Sequence, residues 1–153
     1  MKKTVCIIFE NDLGKILLLL RDNKPEIPYP NQWYILGGIV EEGETYEKAI
    51  AREMLEELGL ELDIGNLKRV KVYNWPEKEE VIFHQKKDID VDGINLQEGQ
   101  EIRYFSRAEI AQMDLAFHDN QIAEDFFKSI DAYFSAVGPD LDSVGKDKLE
   151  KTE

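Results

Sequence analysis

Glu53, Glu56 and Glu57 lie close together in a segment that reads as helical. At about 100° per residue they fall within roughly a 100° arc, on the side away from Met54 and Leu58. Like charges at these spacings destabilise a helix by roughly 0.2–0.5 kcal/mol per pair. They also occupy the last turns, where the helix dipole disfavours anions. A hard divalent cation removes both penalties, because Mg²⁺ and Mn²⁺ prefer oxygen ligands and bind through a few carboxylates plus substrate phosphates. The plainer alternative is a solvated acidic face, since the 153-residue chain carries a net charge of −13.

The elements around this cluster follow from pattern. Residues 45–58 form the helix itself, with Thr45 as N-cap and Gly59 where a left-handed C-terminal cap belongs. Ile50, Ala51, Met54, Leu55 and Leu58 share one apolar face. Upstream, residues 4–10 and 15–21 are apolar runs joined by Asn11-Asp12-Leu13-Gly14, which predicts a β-hairpin. Pro25, Pro28 and Pro30 make residues 22–31 an extended loop, and residues 33–36 form a short strand ending at Gly37-Gly38. Downstream, residues 69–75 and 80–87 predict a second hairpin, and the acidic residues 88–99 a loop. Residues 101–106 read as a strand and 107–112 as a short helical turn. A second long helix covers 119–134, with Ile122, Phe126, Ile130 and Phe134 on one stripe. Strands interleaved with two helices indicate an α/β or α+β sandwich around a mixed sheet. One domain is expected over residues 1–137, followed by a charged, flexible tail at 138–153.

Composition narrows the function classes. The hydrophobic fraction of 42% is that of a folded domain. The acidic balance disfavours binding to nucleic-acid polymers or anionic membranes, and no apolar run approaches the ~20 residues of a membrane span. The first apolar run is too short for a signal peptide, so a cytoplasmic location is expected. Cys6, the single cysteine, sits in an apolar strand and reads as a core residue. An acidic chain can still act on phosphates if its carboxylates hold cations that invert the local charge.

The spacing through residues 38–60 is more specific than the helix alone. Gly38, Glu44, Arg52, Glu53, Met54, Glu56, Glu57, Gly59 and Leu60 match every defined position of the box G-x5-E-x7-R-E-U-x-E-E-x-G-U, where U is apolar. A chance match is about one in a hundred million per start position. On these residues the chain resembles the Nudix hydrolase family, and the run from Arg21 to Gly38 resembles the segment leading into the box of MutT-like members. Ile35-Leu36-Gly37-Gly38 departs from the Leu-Pro-Gly-Gly often seen there. The resemblance implies an α/β/α sandwich with a mixed β-sheet between helices. It implies hydrolysis of a diphosphate linkage in a nucleoside diphosphate derivative, with Mg²⁺ as cofactor and Mn²⁺ as its alternative. The substrate would be a small nucleotide, either 8-oxo-dGTP-like or of the ADP-ribose and nucleotide-sugar kind. A non-catalytic nucleotide sensor on the same fold is the other reading, and a homodimer is compatible with it all.

The resemblance also distributes roles. Glu53, Glu56 and Glu57 would ligate the cation, Gly37 would lend a carbonyl, and Arg52 would orient a carboxylate. Gly38 would let the backbone approach the site, and Glu44 would support the loop before the helix. The general base would come from the box or from Glu98 or Glu101, with Glu101 preferred because it enters a strand. Asn120 would read a base in members acting on oxidised guanine nucleotides, though it also reads as a helix cap. Pro76 lies where ADP-ribose-directed members often carry a proline, though it also reads as a turn residue. Arg21 and Arg103 are candidates for phosphate contact. Trp33, Tyr34, Tyr73, Trp75 and Phe105 could include a stacking platform, while His84 and His118 read as structural.

Overall fold

In the computed structural model, residues 1–137 are described, so the expected tail at 138–153 lies outside the described residues. The strands are β1 (Lys2–Glu10), β2 (Ile16–Leu20), β3 (Trp33–Ile35), β4 (Gly37–Ile39), β5 (Lys68–Asn74), β6 (Lys78–Lys86) and β7 (Glu101–Phe105). The helices are α1 (Tyr46–Leu58), α2 (Arg107–Ile110) and α3 (Asp119–Val137).

β1 is the axis of a mixed sheet. It runs parallel to β6 from Lys2↔Lys78 to Glu10↔Lys86, and antiparallel to β4 from Thr4↔Ile39 to Cys6↔Gly37. β5 closes that side as the antiparallel partner of β6, which is the expected second hairpin. The first hairpin keeps its turn, where Asn11 N–H bonds to Lys15 O at 2.9 Å. Its strands then diverge after Glu10↔Ile16, and β2 pairs instead with β3 and β7. The segment from Trp33 to Ile39 drives this divergence. It starts against β2, changes partner at Leu36, whose carbonyl accepts Ile7 N–H at 2.9 Å, and continues against β1. The short strand expected to end at Gly37-Gly38 therefore extends through both glycines.

Alternation along the strands fills two cores. Val5, Ile7, Phe9, Leu17, Leu19, Val81 and Phe83 face α1 and pack on Ile50, Met54 and Leu58. Cys6, Ile8, Ile16, Leu18, Ile35 and Ile82 face α3 and pack on Ile122, Phe126 and Phe127. A period of two thus supplies both faces of the sheet, and the result is the expected α/β/α sandwich. Each fully buried large apolar side chain contributes roughly 1.5–3 kcal/mol.

Two details of the helices differ from the sequence reading. Leu55 is 52% exposed, while Glu57 is 4% exposed. Glu57 lies about 60° from Met54 around the helix and Leu55 about 100° on the other side. The sheet accepts an arc rotated toward the glutamate. On α3, Ile122 and Phe126 are buried, whereas Phe134 is 44% exposed, because this 19-residue helix outruns the strands beneath it.

Candidate active site

The caps expected for α1 are present. Thr45 Oγ1 accepts Lys48 N–H at 3.1 Å, and Gly59, at φ 66°, donates its N–H to Leu55 O at 3.0 Å. These caps fix where the helix starts and stops, and hence where its glutamates point. Arg52 binds the helix to the preceding loop. Its guanidinium grips both oxygens of Glu44 at 2.8 and 3.0 Å and donates to Ile39 O at 3.0 Å. The same group reaches Glu53 at 3.1 Å and Glu56 at 3.3 Å. The hydrogen bonds from Arg52 hold the Glu44 carboxyl below its ordinary range. Gly38 leaves room for Glu53: a Cβ there would lie 2.3 Å from the Glu53 carboxyl carbon and would displace that carboxyl. At Gly37 a Cβ would lie 2.0 Å from Val5 O, so this glycine is set by the pairing of β4 with β1.

Glu53 and Glu57 open into a cavity of about 400 Å³, within the range of small-ligand sites. Electrostatic neighbours divide its lining in two. One part holds Glu57, Glu53 and Glu98. Burial pushes the Glu57 carboxyl up to about 9, with Glu53 and Glu98 adding to the shift. Burial likewise raises Glu53. The other part holds Asp119, Glu80, Lys78, Cys6 and Phe117. Burial pushes Asp119 up to about 8, although its Oδ2 accepts Ile35 N–H at 2.7 Å. Tyr34 lies between the parts: its hydroxyl donates to Glu57 Oε1 at 3.4 Å, and burial raises its own pKa.

The carboxylate part fits a hard divalent cation. Glu57 Oε2 is buried with no hydrogen-bonding partner among the described residues. Crowded carboxylates whose proton affinity is raised are groups a cation would relieve. Every donor at hand is an oxygen, as Mg²⁺ and Mn²⁺ prefer. Glu56 does not join Glu53 and Glu57; its side chain is 58% exposed and turned to Arg52. Among the described residues no three acidic, His or Cys side chains already converge as a cage, so Glu56 has to turn from Arg52 if it is to ligate.

The other sequence candidates separate clearly. Glu98 lines the cavity, whereas Glu101 lies outside it, paired with Leu20 in the sheet and bonded to Arg103 at 2.9 Å. Of the two residues outside the box, the cavity receives Glu98 and not Glu101, the one preferred from the sequence, because alternation on β7 carries Glu101 away from it. Arg103 lies outside the cavity lining and stands over Trp33 and Phe105. Arg21 does line the cavity, and its guanidinium lies 5.0 Å from the ring centres of both Tyr34 and Phe117. Asn120 is absent from the lining. Its amide accepts Leu115 N–H at 2.9 Å and donates to Met113 O at 3.0 Å, so it braces a turn and its neighbour Asp119 faces the cavity. Pro76 occupies the β5–β6 turn and Tyr34 alone of the candidate aromatics lines the cavity.

The family model of the NUDIX domain matches residues 1–126. The chain belongs to the Nudix family. This Nudix chain is 36% identical over 85 residues to the nucleoside triphosphatase NudI of Salmonella arizonae, a match covering 50% of the chain and 59% of the relative. It therefore spans under two thirds of the length of the curated relatives it matches. Among solved structures, a NUDIX hydrolase from Nitrosomonas europaea is similar at 30% identity and TM-score 0.61, over 78% of this chain and 67% of that one. A bifunctional NMN adenylyltransferase/ADP ribose pyrophosphatase from Francisella tularensis, complexed with AMP and a Mn ion, shares the fold. That match has TM-score 0.67 at 22% identity, over 84% of this chain and 41% of that one.

Several lining residues of this Nudix domain escaped the sequence reading. Lys78 and Glu80 are 7% and 5% exposed, with Lys78 Nζ 3.6 Å from Glu80 Oε2. Residues 76–79 read as a turn, yet β6 begins at Lys78. The usable signal was alternation, since Lys78, Glu80 and Ile82 share a face. Phe117 holds φ 55°, a conformation costing a non-glycine residue roughly 1–2 kcal/mol. No local pattern announces that conformation; it is held by contacts with Tyr29, Tyr34, Arg21 and Lys78.

Proposed function

We propose that this protein hydrolyses a diphosphate linkage in a nucleoside diphosphate derivative, with Mg²⁺ as cofactor and Mn²⁺ as a substitute. The observation that carries the reading is the buried, unpartnered Glu57 Oε2 beside Glu53 and Glu98 in a ligand-sized cavity. Glu53 and Glu57 would hold the cation, with Glu56 joining by leaving Arg52 and Gly37 lending its carbonyl. The bound cation would screen phosphate charge and acidify a water. Arg52 keeps the glutamate-bearing helix and the loop at Glu44 in one geometry. Gly38 admits Glu53 to the backbone of β4. Glu98 takes the proton of the attacking water as oxygen bonds to phosphorus, and the bridging P–O bond breaks to release a phosphate-bearing leaving group. Arg21 meets the substrate near Tyr34 and Phe117.

Membership of the family supports the reaction class, and the NudI relative and the AMP-bound neighbour support a nucleotide substrate. Neither of the two substrate clues in the sequence gains support, since Asn120 braces a turn and Pro76 sits in one. The test is a panel of nucleoside triphosphates, oxidised nucleotides, nucleotide sugars and ADP-ribose with Mg²⁺ and with Mn²⁺, products being weighed by mass spectrometry. Cation-dependent release of a nucleoside monophosphate is expected. Glu98→Gln should lower kcat about a hundredfold and Glu101→Gln less than threefold; the reverse order would return the base to Glu101.

A further inference from the structure

The segment that closes the cavity is held at its ends by the backbone and at its middle by rings. Asn120 braces residues 113–115, Ala116 N–H bonds to Trp33 O at 2.9 Å, and Asp119 accepts from Ile35. Between these ties lie Phe117 and His118. Phe117 turns into the cavity, and His118 turns the other way onto the β5–β6 hairpin. Its ring stacks on Trp75 with centroids 3.9 Å apart and planes at 11°, and its Nε2 meets Glu77.

Trp75 is itself anchored on both sides. Its indole N–H donates to Glu80 Oε1 at 3.0 Å, on the strand that lines the cavity. Its other neighbour, Tyr73, stacks on it at 4.7 Å and 4° and donates its hydroxyl to Asp125 Oδ2 of α3 at 2.6 Å. A line of contacts thus runs from α3 through Tyr73 and Trp75 to His118. It ends next to the one residue of this segment held at positive φ, Phe117. Neither Trp75 nor His118 lines the cavity. Ring pairs have preferred geometries and add to the stabilisation from the area they bury, so a stack holds both of the segments it joins.

We propose that the Trp75–His118 stack is a clamp through which the β5–β6 hairpin holds Phe117 and Asp119 against the cavity. On the hydrolase reading, on which this rests, the clamp sets affinity for the organic part of the substrate and leaves the chemical step to Glu98 and the glutamates of α1. Trp75 and His118 are positioning residues. The clamp also places a determinant of substrate choice at the hairpin tip, outside the glutamate box.

Two measurements test it on wild type, His118→Ala, His118→Phe and Trp75→Leu. The first is backbone amide hydrogen exchange over residues 113–120 without substrate. Faster exchange is expected in His118→Ala and Trp75→Leu, and near-wild-type exchange in His118→Phe, which keeps a stacking ring but loses the bond to Glu77. The second is steady-state kinetics with the best substrate of the panel. His118→Ala and Trp75→Leu should raise KM about three- to tenfold with kcat within twofold, and His118→Phe should leave KM near wild type. Unchanged exchange in His118→Ala overturns the clamp, as does exchange in His118→Phe as fast as in His118→Ala. Faster exchange with unchanged KM, or a loss confined to kcat, overturns its link to the substrate. A wild-type chain that turns over nothing defeats the hydrolase reading, while the exchange measurement still decides the clamp.

Discussion

The two parts of the cavity are built by different rules. The carboxylate part is built mainly from one stretch of chain: Gly38, Glu44, Arg52, Glu53 and Glu57 span a loop and the helix that follows it, Arg52 ties Glu44, Glu53 and the Ile39 carbonyl together, and Glu98 alone joins from a distant loop. The opposite part is assembled from β1, β6, α3 and the residues just before α3, which meet only when the sheet closes. One of its carboxyls, Asp119, is held by a backbone N–H of β3 that is 84 residues away in sequence. A local construction keeps its geometry under changes elsewhere in the fold. A dispersed one can change its ligand through one substitution on any contributing element, which suits the part of a site that distinguishes substrates.

This contrast gives an ordered set of expectations. The largest effect should come from Glu57→Gln, which removes the charge a cation would meet; kcat should fall by about 10²–10³-fold in Mg²⁺ kinetics. Stability of the cation-free protein should hold or rise, since Gln cannot ionise where burial disfavours the charged carboxylate. An active Glu57→Gln protein would erase the distinction between the two parts. Asp119→Ala should raise KM about tenfold and change kcat by less than threefold, because the bond to Ile35 and the closed end of the cavity are lost. A fall confined to kcat would instead place Asp119 with the chemistry.

The smallest effect concerns pH. Burial raises Asp119 to about 8 from its ordinary value of 3.8. The folded state therefore favours the protonated form, and this contribution to stability is complete below about pH 4 and lost as pH rises toward 8. Asp119→Asn should be more stable than wild type, relative to their difference at pH 4, by an amount that grows between pH 4 and 8. Denaturant unfolding of the cation-free proteins measures it, and a difference that does not vary with pH would place the carboxylate in contact with a compensating cation.

Much of this molecule is legible in its residues, and the gaps have physical causes. The caps of α1, the β5–β6 hairpin and both helices follow from local rules that act within a few residues. Leu55 and Glu57 exchange roles because helical periodicity defines an apolar arc only to within a residue or so, while the sheet it meets sets the rotation. Local pattern favours Glu101 over Glu98, whereas the pairing of β7 with β2 leaves Glu98 and not Glu101 in the cavity. Lys78 reads as part of a charged turn and Glu80 as the start of a strand until β6 is laid parallel to β1 along its whole length, which brings both to the cavity.

The sequence by itself determined the glutamate-bearing helix, since its glutamate spacing, caps and arginine tether are all of short range along the chain. Only the tertiary structure decided what faces those glutamates. Phe117 at positive φ, the bond from β3 to Asp119 and the ring stack behind them depend on packing between distant segments, and such packing leaves no periodic trace in any one of them.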